Sequence, residues 1–225
     1  MSGEPILELT DVSADAGAVY DVGLESMNLR LAPGELVFSR LIDEGAHTPL
    51  ADVIEGLTAT TGGTVSFLGR AWSERSAAVA ARDRGRIGRV FPGGGWISAL
   101  DMDENITLGQ QHHAGRRFRE VADEAAQLAE QFGLDPLRGR RPVELNRHEL
   151  HVAQWVRAFL GAPDLVILER PLHSVHPGAA ESLHGAIGAA RGRGAAVLWI
   201  DFVGALGTIA DDESPEPAAG PAPDD

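Results

Sequence analysis

Two continuous apolar runs, Leu165-Val166-Ile167-Leu168 and Ala195 to Ile200, constrain the fold of this chain more than any other feature. Neither alternates apolar with polar, as a strand with one wet face does. The first follows the turn signal Ala162-Pro163-Asp164 and has the length of a strand, which predicts parallel strands covered on both faces. Helical periodicity supplies the covering layers. Phe118 to Phe132 places Val121, Ala125, Leu128 and Phe132 on one face, and Glu144 to Leu160 keeps Leu150, Ala153, Val156 and Leu160 in register. Asp103 to Leu108 and Ala179 to Ala190 add two further helical segments.

The amino-terminal part has a different pattern. Residues 6–12 and 27–31 alternate apolar with polar, as does Val65 to Leu68 after Thr61-Gly62-Gly63, which predicts half-buried antiparallel strands. Arg86 to Phe91 reads as another strand, closed by Pro92-Gly93-Gly94-Gly95-Trp96. The layout is α/β, with a parallel core, an antiparallel flank and a helical insertion at about residues 96–160.

Between Glu35 and Leu57 a strand, a turn and a helix follow one another where a phosphate-binding loop would lie. The strand is Leu36-Val37-Phe38 after Pro33-Gly34, and the helix carries Leu50, Val53, Ile54 and Leu57. Thr48 is expected to cap that helix, with Pro49 at its first position. Laid on the pattern GxxxxGK[ST], residues 41–48 match only at Thr48: Leu41 and Ala46 replace the glycines, Gly45 is displaced by one position, and His47 replaces the lysine. Asp43 and Glu44 add carboxylates where the phosphates would sit. Each like-charge pair at about 4 Å costs roughly 4 kcal/mol at an effective dielectric near 20.

Composition narrows the function classes. With 225 residues and 44% hydrophobic content, one domain to about residue 210 is expected. There is no cysteine, so disulfides and thiolate metal sites are excluded. A net charge of −14 argues against nucleic acid and against direct attraction to anionic lipid. Residues 211–225, acidic and rich in proline and alanine, read as a disordered tail. Neither a signal peptide nor a membrane-spanning run is legible, so a cytoplasmic protein without membrane insertion is expected.

Several stretches in this order resemble the ATP-binding subunits of ABC transporters, over nearly the whole chain to about residue 202. They are Leu29 to Val37, Ile54-Glu55-Gly56-Leu57 with Thr61 to Val65, and Val156 to Leu160 leading to Pro163 to Pro171. Gly93 to Ser98 followed by Asp103-Glu104-Asn105-Ile106 is most similar to the Mla/Mce-type ATPases of lipid trafficking. The resemblance implies a P-loop NTPase-like fold with a membrane permease, and a second ATPase subunit, as partners.

Where the family carries its chemistry, this sequence departs from it. Pro92 stands at the glutamine that senses magnesium and water, and Leu145-Asn146-Arg147-His148-Glu149 at the signature LSGGQ. Glu169 replaces the aspartate that ends the buried strand, Arg170 the catalytic glutamate, His176 a loop aspartate, and Asp201 the switch histidine. The resemblance thus implies vestigial nucleotide positions at Gly45, His47, Thr48 and Glu169, no catalytic residue, and no bound cofactor unless ATP and magnesium still occupy the remnant. Arg170 is expected to pair with Glu169, Asp43 or Glu44 and fill the emptied site; Asp201 or His47 could serve instead. Tyr20 is the one candidate for stacking on adenine.

His148 with His151 and His173 with His176 have metal-ligand spacing, but no third ligand is evident and no metal site is expected. Gly93, Gly94, Gly95 and Trp96 are candidates for partner binding, the glycines admitting a close backbone and Trp96 an anchor; internal packing of Trp96 is the alternative. The function expected is a degenerate ATP-binding-like subunit that acts as scaffold or regulator on a permease. The alternatives are a nucleotide-binding member of a heterodimeric transporter and a soluble regulator unconnected with transport.

Overall fold

The computed structural model describes residues 4–41 and 47–202. Strands β1 (Leu7–Ala14), β2 (Leu24–Leu31), β4 (Gly62–Phe67) and β5 (Arg70–Ala71) form an antiparallel sheet in the order β2-β1-β4-β5. Strands β3 (Leu36–Leu41), β6 (Ile87–Val90), β7 (Leu165–Glu169) and β8 (Ala196–Phe202) form a parallel sheet in the order β3-β8-β7-β6. Helix α1 (Leu50–Ile54) follows β3, α2 (Ala77–Arg84) precedes β6, and α3 (Met102–Ala114), α4 (Phe118–Gln131) and α5 (Arg147–Phe159) lie between β6 and β7. Helix α6 (Ala180–Gly192) links β7 to β8.

The two apolar runs behave as their composition requires. Leu165, Ile167, Ala196, Leu198 and Ile200 face α1 and the antiparallel sheet, whereas Val166, Leu168, Val197 and Trp199 face α5 and α6. Alternate side chains of one strand thus feed two cores, because successive residues of a strand point to opposite faces. Gly88 is what lets β6 lie against α5, since a Cβ there would come within 1.7 Å of the Ala158 carbonyl oxygen.

Some boundaries differ from the sequence reading. Helix α1 ends at Ile54 instead of Leu57, because Gly56 adopts φ 63° and Leu57 turns outward, 58% exposed. Its amino-terminal cap is Pro49, with no side-chain cap bond, so Thr48 does not cap it. Helix α5 begins at Arg147, after a separate 3-10 turn at Pro142–Glu144, where one helix from Glu144 was expected. Helix α2 was not anticipated; only Ala80 of it is buried, too little to leave an apolar period in the sequence. Gly45, Asp43, Glu44 and the tail at 211–225 lie outside the described residues. Among those described, no helix is long and apolar enough to cross a membrane.

Candidate functional site

Beyond the carboxyl end of β7 lies a cavity of about 300 Å³ lined by Tyr20, His47, Asp52, Arg89, Pro92 and Glu169, with Arg170 at its edge. Tyr20, His47, Thr48, Pro92, Glu169 and Arg170, all singled out in the sequence, line it. The side chain that organises it is Arg89 of β6, which the sequence reading had passed over. Ile87 of the same strand packs into the core between α1 and the two sheets, and Arg89, two residues on, shares that face. Its guanidinium is 9% exposed overall and meets three carboxylates. Nε donates to Glu169 Oε1 at 2.6 Å and Nη1 to Glu55 Oε2 at 2.7 Å; Nη1 also donates to Asp52 Oδ1.

Asp52 and Glu55 stand three apart around α1, so both project toward β6. Burial pushes Glu55 and Glu169 above the ordinary carboxylate range, opposed by Arg89. Burial also works against Asp52, yet hydrogen bonds from Arg89 and Tyr20 hold it below that range. For Arg89 itself burial disfavours the charge, but Glu169 and Glu55 raise its pKa well above the usual value. The arginine is thus held charged by anions that belong to its own chain.

The other expected residues distribute around this centre. The Tyr20 hydroxyl donates to Asp52 and lies 3.2 Å from Thr58 Oγ1, which ties the ring to the cavity wall. His47 is exposed and anchored through its backbone, its N–H to Asp21 Oδ2 and its carbonyl to the Asp21 N–H, both at 2.9 Å. The cation at Glu169 is Arg89; Arg170, expected to pair with Glu169, Asp43 or Glu44, has Nη2 3.4 Å from His173 Nδ1 and a backbone φ of 50°, and its alternatives Asp43 and Glu44 lie outside the described residues. Asp201, 7% exposed, accepts from Trp199 Nε1 at 3.2 Å and stays with the core. Thr48 lines the cavity, and Pro92 is exposed at its rim.

At the signature position Asn146 caps α5. Its Oδ1 accepts from the Glu149 N–H at 3.0 Å, while Glu149 Oε2 accepts from the Asn146 N–H at 2.8 Å. Residues Asn146 to Glu149 are therefore a reciprocal capping box, which spends helix-start donors on local partners. The loop 92–97 is fixed from below. Arg157 Nη2 donates to the Gly94 carbonyl at 2.6 Å, and its guanidinium lies 4.5 Å from the Trp96 ring centre. Trp96 is half-buried against the helical core, and Gly94 is buried; Pro92, Gly93, Gly95 and Ile97 are what the loop exposes.

Magnesium and a nucleoside triphosphate would need a cluster of donors and cations at this end of β7. The described residues do not fit that group. The sequence contains no lysine, all 19 basic residues being arginine. The arginine at the site is taken up by three carboxylates, and at the start of α5 the capping box takes the Glu149 N–H. Among the described residues no three histidine, aspartate or glutamate side chains converge as a metal site. His148 Nδ1 instead lies 3.3 Å from the His176 backbone nitrogen.

This architecture defines the class: a parallel core, an antiparallel flank, and helices inserted between β6 and β7, as in the nucleotide-binding domains of ABC transporters. The structure matches a dimeric bacterial ABC transporter cassette with a TM-score of 0.76, 17% identity and 90% of each chain covered. It matches another ABC transporter ATP-binding subunit with a TM-score of 0.73, 21% identity and coverage of 89% of this chain and 81% of that one. In sequence it is 28% identical over 182 residues to the lipoprotein-releasing system ATP-binding protein LolD of Anaeromyxobacter dehalogenans, covering 80% of this chain and 76% of that protein. It is 29% identical over 204 residues to the phosphonates import ATP-binding protein PhnC of Hyphomonas neptunium, covering 86% and 76%. No protein-family model matches the chain. The chain is related in sequence and in fold to the ATP-binding subunits of ABC transporters.

Proposed function

We propose that this chain is an ABC ATP-binding-like subunit that has given up ATP hydrolysis and holds or regulates a membrane permease from its cytoplasmic face. The observation that carries the reading is the pairing of Arg89 with Glu169, Glu55 and Asp52. It occupies the arginine with three carboxylates of its own chain, and three carboxylates around one cation leave a net negative site that repels a nucleotide's phosphates. A framework kept intact around such a site suits a protein selected for its surface. The expected helical insertion at about 96–160 and the loop at 93–97 form the docking region in this proposal, with Ile97 and the open Gly93 and Gly95 facing the partner and Trp96 bracing them. Ile97 is 45% exposed, which leaves apolar area for a partner to cover.

A lipid-handling permease is the partner we favour, on the likeness of residues 93–98 to lipid-trafficking ATPases and on the lipoprotein-releasing relative. A second ATPase subunit is the other partner to look for. Co-expression with a candidate lipid-handling ABC permease tests the proposal. A complex should form without nucleotide, weaken with Ile97→Asp, and be indifferent to Mg-ATP. A complex that assembles or dissociates on addition of Mg-ATP overturns this reading and favours a nucleotide-binding member of a heterodimer.

A further inference from the structure

A second cavity, of about 330 Å³, lies between the end of α1, β6, α3 and α5, and the cleft before Glu169 shares only Arg89 and Phe91 with it. Two arginines line it in an unusual state. Arg157 donates one hydrogen bond, to the Gly94 carbonyl, and otherwise stacks 5.0 Å from the centre of Phe91 and 4.5 Å from that of Trp96. Its Nε is buried without a partner. Arg84 donates to the carbonyls of Glu55 and Gly56, at 2.8 and 2.7 Å. Among the described residues neither has a carboxylate within ion-pair distance, although Arg75, Arg86, Arg116 and Arg140 each have one. Acid is not scarce, with 33 acidic residues to 19 basic ones. Two guanidinium groups lacking a carboxylate therefore meet at one cavity in a chain rich in carboxylates.

We propose that this cavity binds a small organic monocarboxylate with an apolar body, its carboxylate on Arg157 and Arg84 and its body against Leu57, Ile106 and Leu160. The volume is at the small end of ligand pockets, which span roughly 300–1,000 Å³. The walls decide the class of anion. Glu55 stands on the same cavity, held by Arg89 at 2.7 Å, and the chain carries −14 overall, so a polyanion is repelled while a single charge with apolar area is tolerated. His113, also lining the cavity, has Nδ1 buried without a partner among the described residues, an acceptor for a hydroxyl or amino group on the ligand. Burial and the neighbouring charge of Arg89 push the Arg157 pKa down to about 10, and the opposite charge of an incoming carboxylate works against that shift.

This inference does not rest on the loss of nucleotide chemistry. The test is calorimetry and thermal denaturation of the full chain with sodium hexanoate, with hexan-1-ol as the uncharged match. Hexanoate should bind and raise the melting temperature, and hexanol should bind at least about tenfold more weakly, as expected for loss of charge-assisted hydrogen bonds. Arg157→Met should weaken hexanoate by a similar factor, and Arg157→Lys should recover part of it. Arg84→Met provides a second variant if Arg157→Met does not fold. Equal binding of hexanoate and hexanol, no response to hexanoate, or unchanged hexanoate affinity in a folded arginine variant would overturn the proposal.

Discussion

Arg89 and Glu169 meet across neighbouring parallel strands, Nε to Oε1 at 2.6 Å, because Glu169 lies two residues beyond Ile167, the register partner of Arg89, and so shares its face. The contact is a diagonal cross-strand pair placed at the end of β7, where the fold opens its cavity.

Breaking this centre from the cationic side should be costly. Arg89→Met leaves Glu55 and Glu169, 8% and 9% exposed, without their cation, and removing one partner of a buried pair costs about 3–5 kcal/mol. Urea denaturation should record a loss of that size, and adding Glu55→Gln with Glu169→Gln should recover much of it. A change below about 1 kcal/mol in Arg89→Met would mean that the cluster is not structural.

The parallel core was legible in the sequence, because strands buried on both faces leave uninterrupted apolar runs at Leu165–Leu168 and Ala195–Ile200. A cavity lies at Thr48 and Asp52, within the strand, turn and helix read between Glu35 and Leu57. Its chemistry was not legible. Arg89 sits in a short strand between Gly88 and Val90, and nothing local reveals that α1, which follows the opposite edge strand β3, offers Asp52 and that Glu55 lies at its end. The one signal available was a charge on the same face as Ile87, which demands a buried counter-ion; Arg170, adjacent to Glu169 in sequence, was the more obvious choice. The capping box at Asn146–Glu149 was readable from its spacing, an asparagine followed three residues later by a glutamate.

His151 should make the protein acid-sensitive. It is 6% exposed, and burial, followed by the charge of His173, lowers its pKa to about 4. The unfolded chain takes up that proton near 6.5, so stability is full above pH 6.5 and is lost as pH falls toward 4, by up to ~3 kcal/mol at 1.36 kcal/mol per unit. Glu55 and Glu169, raised by burial, act in the opposite direction, so the readout is the stability difference between wild type and His151→Leu at each pH. That difference should shift in favour of the variant between pH 6.5 and 4; a constant difference would show that His151 is not held neutral.

Two adjacent glycines should respond differently to alanine. Gly94 has φ 79°, and a Cβ on it would stand 2.7 Å from Trp96 Nε1, whereas nothing lies within 4 Å of a Cβ on Gly93. Gly94→Ala should therefore lower stability by about 1–3 kcal/mol and Gly93→Ala by less than about 0.5 kcal/mol, both measured by denaturation. Equal effects would mean that the loop is not braced by Trp96.

Restoring one phosphate-loop side chain should not restore the site. His47→Lys leaves Arg89 tied to its carboxylates and Pro49 at the start of α1, so Mg-ATP should bind this variant no better than wild type. Recovery of binding by that single change would show that only the lysine was missing.

Calorimetry of the wild-type protein with Mg-ATP tests the central claim most directly. The internal pairing of Arg89 with Glu169 predicts no saturable heat in the micromolar range and no phosphate release on incubation. A dissociation constant below about 10 µM, roughly −7 kcal/mol, would contradict it and favour the nucleotide-binding member of a heterodimer.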